Sequence, residues 1–145
     1  MSTAIRPLAV VTGASSGIGR VLCHRLDRRG YRLMLVSRTE ADLQAVADQV
    51  TEAQVVPADL AQPEGPATVS EALDRDGAHV EVLINNAGFG HYATVLDHEP
   101  ELVEALMHVH YFSPLKLIQR CVPGMVANDK GHVINTASIA ARIGP

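Results

Sequence analysis

Short apolar runs alternate along this chain with longer stretches of helical spacing. Leu8-Ala9-Val10-Val11-Thr12 is apolar, rich in β-branched residues and ends in glycines, which predicts a strand. From Ile18 to Arg29 the spacing is helical, with Ile18, Val21, Leu22 and Leu26 on one face and Gly30 placed to cap the end. Arg32–Val36 predicts a second strand, and Glu40–Val50 a second helix with Leu43, Val46, Ala47 and Val50 inward. Gln54–Pro57 predicts a third strand, and Pro63–Asp76 a third helix with Val69, Ala72 and Leu73 inward. Val80–Ile84 is a fourth strand, Glu99 to about Val126 one long helix, and His132–Thr136 a fifth strand.

Strand and helix thus alternate four times before a last strand. That order predicts the α/β class, a parallel sheet with helices on both faces. A length of 145 residues suits one domain, 1–145. Hydrophobic residues make up 47% of the chain, with 3% aromatic and no Trp, so the core must be filled by Val, Leu, Ile and Ala. The net charge of −4 argues against a nucleic-acid groove. Cys23 and Cys121 lie in apolar helical patterns without a C-x-x-C partner and read as buried free thiols. The run Leu8–Val11 is too short for a secretory signal, and no stretch is apolar for long enough to span a bilayer. The expectation is a soluble, cytoplasmic protein without a membrane partner.

The candidate chemistry begins at Thr12-Gly13-Ala14-Ser15-Ser16-Gly17-Ile18-Gly19, between the first strand and the first helix. Gly13 permits a sharp turn, Gly17 lets backbone approach a pyrophosphate, and Gly19 lets the helix pack close to the strand. The helix start, with Ile18, offers unpaired N–H groups and a positive dipole end to phosphates, and Ser15 and Ser16 add hydroxyls. No Gly-Lys-Ser/Thr follows, which excludes a Walker-type phosphate loop.

The spacing T-G-x-x-x-G-x-G, together with Asn85-Asn86-Ala87-Gly88 after the fourth strand, resembles the short-chain dehydrogenase/reductase family from Leu8 to Pro145. The resemblance implies a doubly wound, Rossmann-like three-layer α/β/α fold, here ending after the fifth strand. It also implies an oxidoreductase that moves a hydride between a nicotinamide and a carbonyl or alcohol substrate, with Asn86, Ala87 and Gly88 closing over the cofactor. About 20 residues beyond the glycines a dinucleotide fold places a side chain against the adenosine ribose. Here Ser37-Arg38-Thr39 stands there, with no acid until Glu40. A guanidinium fork flanked by hydroxyls suits a 2′-phosphate, so NADP(H) is expected over NAD(H). Asp59-Leu60 resembles the family's adenine-contacting pair; as a residue before a helix, Asp59 also reads as a cap. Phe89, His91 and Tyr92 either line a pocket or lie in a surface loop.

In the segment Ile134-Asn135-Thr136-Ala137-Ser138-Ile139-Ala140, Ser138 falls on the family's catalytic serine. The family's Asn, whose backbone carbonyl holds a relay water, falls on His110. Pro114 has no N–H to give the His110 carbonyl four residues back, so the substitution is expected to preserve that water site. The seven histidines show no metal-ligand spacing. The family's Tyr-x-x-x-Lys occurs nowhere in these residues, and the chain ends at Pro145. By itself it is therefore expected to be inactive, as a portion of a longer protein or a discrete fragment. Strand five is expected to be an uncovered edge, with Leu106, Leu115, Leu117 and Ile118 short of partners. The resemblance further implies a homo-oligomer packed through the long helix, although the stripe Leu102–Leu117 is also that of a core helix. A non-catalytic dinucleotide-binding fragment, redox-sensing or interaction module, is the alternative.

Overall fold

The computed structural model describes residues 6–139 and 142. Strands β1 (Leu8–Thr12), β2 (Arg32–Ser37), β3 (Ala53–Pro57), β4 (Val80–Asn85) and β5 (His132–Asn135) form one sheet in the order β3-β2-β1-β4-β5, and every pairing is parallel. The chain runs outward from β1 through β2 to β3, then returns to add β4 on the other side of β1. The ends of β1 and β4 therefore flank a topological switch point, where open α/β sheets bind ligands.

Alternation along the strands builds two cores. Leu8, Val10, Met34, Val36 and Leu83 face one side, with Val69, Ala72 and Leu73 of α3 (Gly65–Asp76) and Leu117, Cys121 and Met125 of α5 (Ser113–Ala127). Ala9, Val11, Leu33, Leu35 and Ile84 face the other, against Cys23 and Leu26 of α1 (Gly17–Arg28) and Leu43 and Val46 of α2 (Glu40–Ala47). This is the doubly wound, three-layer arrangement expected, and each fully buried Leu or Val contributes about 1.5–3 kcal/mol of transfer free energy. Both cysteines are buried and free. Burial pushes the Cys23 thiol up to about 12 and the Cys121 thiol up to about 11.

Four expectations need correction. On α1, Ile18 and Val21 are 61% and 53% exposed; the buried face is Gly19, Cys23 and Leu26, because the helix is rotated by one position to seat Gly19 against the strand. The long helix is not continuous. It comprises α4 (Pro100–Met107), a π-turn (His108–Phe112) and α5. In regular α geometry the Pro114 ring would clash with the carbonyl of His110, and a wider turn relieves that clash. Leu117 is not short of partners: it points at the sheet and is 1% exposed. Asp59 does not cap α3, which starts at Gly65 with Glu64 before it; its Oδ1 accepts from the Ala61 N–H at 3.0 Å, closing a local turn. Strand β5 is one edge of the sheet and β3 the other; in β5, His132, Ile134 and Asn135 are exposed. No helix of the described residues is long and apolar enough to cross a membrane.

Candidate functional site

Because all strands are parallel, their C-terminal ends share one rim. The turn after β1 is shaped by Gly13 (φ +64°), where a Cβ would sit 2.9 Å from Asn86 Nδ2. At Gly17 (φ +51°) a Cβ would meet no protein atom, so that side of the turn is open space. A Cβ on Gly19 would collide with the Gly13 carbonyl, the close approach that rotates α1 inward. Ser16 occupies the N-cap in extended conformation without a side-chain cap bond, and the first turn of α1 holds no acid. Its N-terminal dipole and N–H groups are thus left to an anion.

Thr12 ties this turn to the end of β4. Its Oγ1 accepts from the N–H groups of Asn86 and Ala87, each at 2.9 Å, and donates to the Ile84 carbonyl at 3.3 Å. Asn86 Nδ2 donates to the Thr12 carbonyl at 3.2 Å, and Asn86 Oδ1 accepts from Thr136 Oγ1 at 3.1 Å. Asn85 Nδ2 reaches Asn135 Oδ1 at 2.9 Å. The segment from Asn85 to Gly88 therefore joins the glycine turn on one side to the end of β5 on the other.

A cavity of about 530 Å³ opens at this rim. Of the residues the sequence singled out, Gly13, Ser15, Ser16, Ser37, Arg38, Thr39, Asp59, Leu60, Asn86, Ala87 and Gly88 line it. Gly17, Ile18 and Gly19 do not; they belong to the helix start beside it, and the Ile18 side chain points to solvent. At the β2 end, the exposed Arg38 guanidinium has no partner among the described residues. The neighbouring Ser37 Oγ is buried without a hydrogen-bond partner. Phe89, one of the three residues expected either to line a pocket or to lie in a surface loop, also lines it; Asp42, Val36, Ala58, Ala61 and Val109 complete the lining and were not singled out. Asp42 carried a signal, since it lies three residues after Thr39 on the same helix start; Val109 and Ala61 are brought in only by packing.

A second cavity, of about 320 Å³, lies between the end of β4, the end of β5 and the π-turn, and His110, Tyr111 and Pro114 line it. The His110 Nε2 lies 2.7 Å from the Phe89 carbonyl. Ser138 is exposed just past β5 and lines neither cavity. Tyr92 and His91 are exposed and line neither. Among the described residues no three His, Cys, Asp or Glu side chains converge on a metal position.

The family described as short chain dehydrogenase matches residues 7–145. An uncharacterised oxidoreductase of Staphylococcus epidermidis is 32% identical over 92% of this chain and 58% of its own length. Dehydrogenase/reductase SDR family member 7B of Bos taurus is 30% identical over 94% of this chain and 45% of its own length. The chain thus spans about half the length of the curated relatives it matches. Among solved structures, a metagenomic short-chain oxidoreductase in complex with NADP superposes with a TM-score of 0.88 at 32% identity, over 96% of this chain and 65% of that one. L-sorbose reductase of Gluconobacter frateurii, complexed with NADPH and L-sorbose, gives 0.85 at 30% identity, over 97% and 56%. Parallel sheet, glycine turn and Asn-Asn-Ala-Gly segment agree with that family match over nearly the whole sequence: the chain belongs to the short-chain dehydrogenase family of oxidoreductases.

Proposed function

We propose that this chain supplies the NADP(H)-binding portion, and the carbonyl-polarising serine, of an oxidoreductase acting on a carbonyl or alcohol substrate. The observation that carries the reading is the β2 end of the large cavity. There an unpaired guanidinium, Arg38, stands beside a buried hydroxyl without a partner, Ser37. A buried hydroxyl left unsatisfied costs stability, and a phosphate oxygen would satisfy it. The open side of Gly17 and the free N–H groups of α1 fit a pyrophosphate in the same way.

When bound, the nicotinamide supplies or accepts the hydride. The chain's own residues bind and orient. Arg38, Ser37 and Thr39 hold the 2′-phosphate, and Ser15, Ser16 and the start of α1 at Gly17, Ile18 and Gly19 hold the pyrophosphate. Asp59 accepts from the adenine amino group beside Leu60, and Asn86, Ala87 and Gly88 form the opposite wall. Ser138 donates its hydroxyl proton in a hydrogen bond to the substrate oxygen, and the His110 carbonyl accepts from a relay water. No Tyr-x-x-x-Lys occurs in the 145 residues, so the general acid of the family is not among them.

Titration with NADPH and NADH tests this reading. Wild type is expected to favour NADPH, and Arg38→Asp to weaken NADPH by about 10- to 100-fold, the worth of a charge-assisted bond, with little change for NADH. Equal affinity of the wild type for both cofactors would sink the assignment.

A further inference from the structure

We infer that the His110 imidazole is a positioning group: it straps Gly88 and Phe89, one wall of the large cavity, to the π-turn of the helix. Three observations converge. The Phe89 carbonyl can only accept, so the 2.7 Å contact requires Nε2 to carry the proton and donate it. The ring edge lies against Gly88, where a Cβ would come within 2.6 Å of His110 Cε1 and 3.2 Å of Nδ1. The Phe89 and His110 rings stand 6.3 Å apart at 46°. Chain from Gly88 through Asp97 is exposed throughout, and among the described residues this is the side-chain hydrogen bond that ties it to the helix.

Placement gives the strap its consequence. Gly88 and Phe89 line the large cavity, His110 lines the smaller one, and Ala87 and Val109 line both. The imidazole therefore belongs to the partition between the two spaces. Across the sheet, the Arg38 end of the large cavity lies on the β2 side of β1, and the Phe89 end on the β4 side. A ligand that spans the cavity feels the strap; one confined to the β2 end does not. The glycine at 88 follows from the same contact, since no side chain fits there while the ring is in place. This inference rests on the cofactor reading only for its choice of ligands.

The test uses the full protein with NADPH, with 2′,5′-ADP as the adenosine half alone, and with amide hydrogen exchange at Phe89–Ala93 without ligand. His110→Ala is expected to weaken NADPH about fivefold, the worth of one solvent-accessible hydrogen bond, while 2′,5′-ADP changes by less than about twofold. Exchange should speed up about tenfold. His110→Gln, whose amide reaches the same carbonyl as a donor, should bring both readouts back within about twofold of wild type. Gly88→Ala should weaken NADPH strongly beside His110 and little in the His110→Ala background. Unchanged affinity and exchange in His110→Ala, or an equal loss of 2′,5′-ADP, would overturn the inference. Should wild type bind neither ligand, the cofactor reading fails, and the exchange measurement still decides the strap.

Discussion

Strands β1 and β5 lie in the same sheet, one strand apart, and are built on different terms. Every residue of β1 is at most 1% exposed, covered by α1 on one face and by α3 and α5 with their neighbours on the other. In β5 only Val133 is half-buried, and Ile134 is 47% exposed. The glycine turn therefore leaves a strand whose position is set by close packing on both sides. Ser138 leaves a strand whose end is held by polar bonds, Asn85 to Asn135 and Thr136 to Asn86. Within one rim, the glycine-turn side is placed by packing and the serine side by hydrogen bonds, which are individually weaker and easier to rearrange.

The largest effect that separates the two sides is core truncation. Leu35→Ala on β2 removes a fully buried side chain and should cost about 3 kcal/mol, whereas Ile134→Ala on β5 should cost less than about 1 kcal/mol. Urea unfolding with an unchanged slope measures both; equal losses would break the comparison.

Ion pairs should show a smaller version of the same contrast. Arg32 and Asp76 pair through two bonds of 2.6 and 2.7 Å between β2 and the end of α3, both largely buried. The hydrogen bonds from Arg32 hold the Asp76 carboxyl below its usual 3.8. A carboxyl depressed on folding adds stability above its unfolded value, and loses it as pH falls through the folded value. Asp76→Asn should thus cost about 1–2 kcal/mol at pH 7 and flatten the loss of stability below about pH 4. Lys130–Glu81, with its lysine 64% exposed beside β5, should contribute no more than about 0.5 kcal/mol when Lys130 is truncated. Thermal melts between pH 2 and 7 compare the two; a Lys130 variant as damaged as the Asp76 variant would reverse the ranking.

The smallest effect concerns the thiols. At pH 8 both stay protonated, so alkylation needs local opening. Cys121, on the helix nearer the exposed edge, should react a few-fold faster than Cys23, an order that timed mass spectrometry resolves. Faster labelling of Cys23 would place the looser packing on the glycine-turn side.

The same contrast explains what the sequence made legible. Strands β1 and β2 were plain because the runs Leu8–Val11 and Leu33–Val36, buried on both faces, leave no polar interruption. Most of the cavity was plain as well, since Gly13, Arg38 and Asn86 each follow directly on a strand and Asp59 comes two residues after one, and parallel strands bring such positions together. The α1 face was misread because Leu22 and Leu26 belong equally to a face with Ile18 and Val21 and to one with Gly19 and Cys23. A glycine carries no hydrophobic signal, yet its contact with the Gly13 carbonyl decides the rotation. Pro114 was visible as a break in hydrogen bonding. The reach of His110 to Phe89 depends on neighbours far apart in sequence.

The widened turn before Pro114 also sets how the helix tolerates changes in length. A π-turn holds one residue more than the α-helical path between the same points, so the apolar pattern of α5 is shifted by that residue against the pattern of α4 while the helix path is kept. Deleting a single residue from His108–Phe112 would let a regular α-helical path join those points, at the cost of restoring the clash between the Pro114 ring and the carbonyl four residues back. Leu117, Cys121 and Met125 would stay on the sheet, whereas a deletion between Pro114 and Leu117 would turn them off it by about 100°. This stretch of five residues, most of whose side chains lie at the surface, is where the helix can lose a residue without turning its buried face.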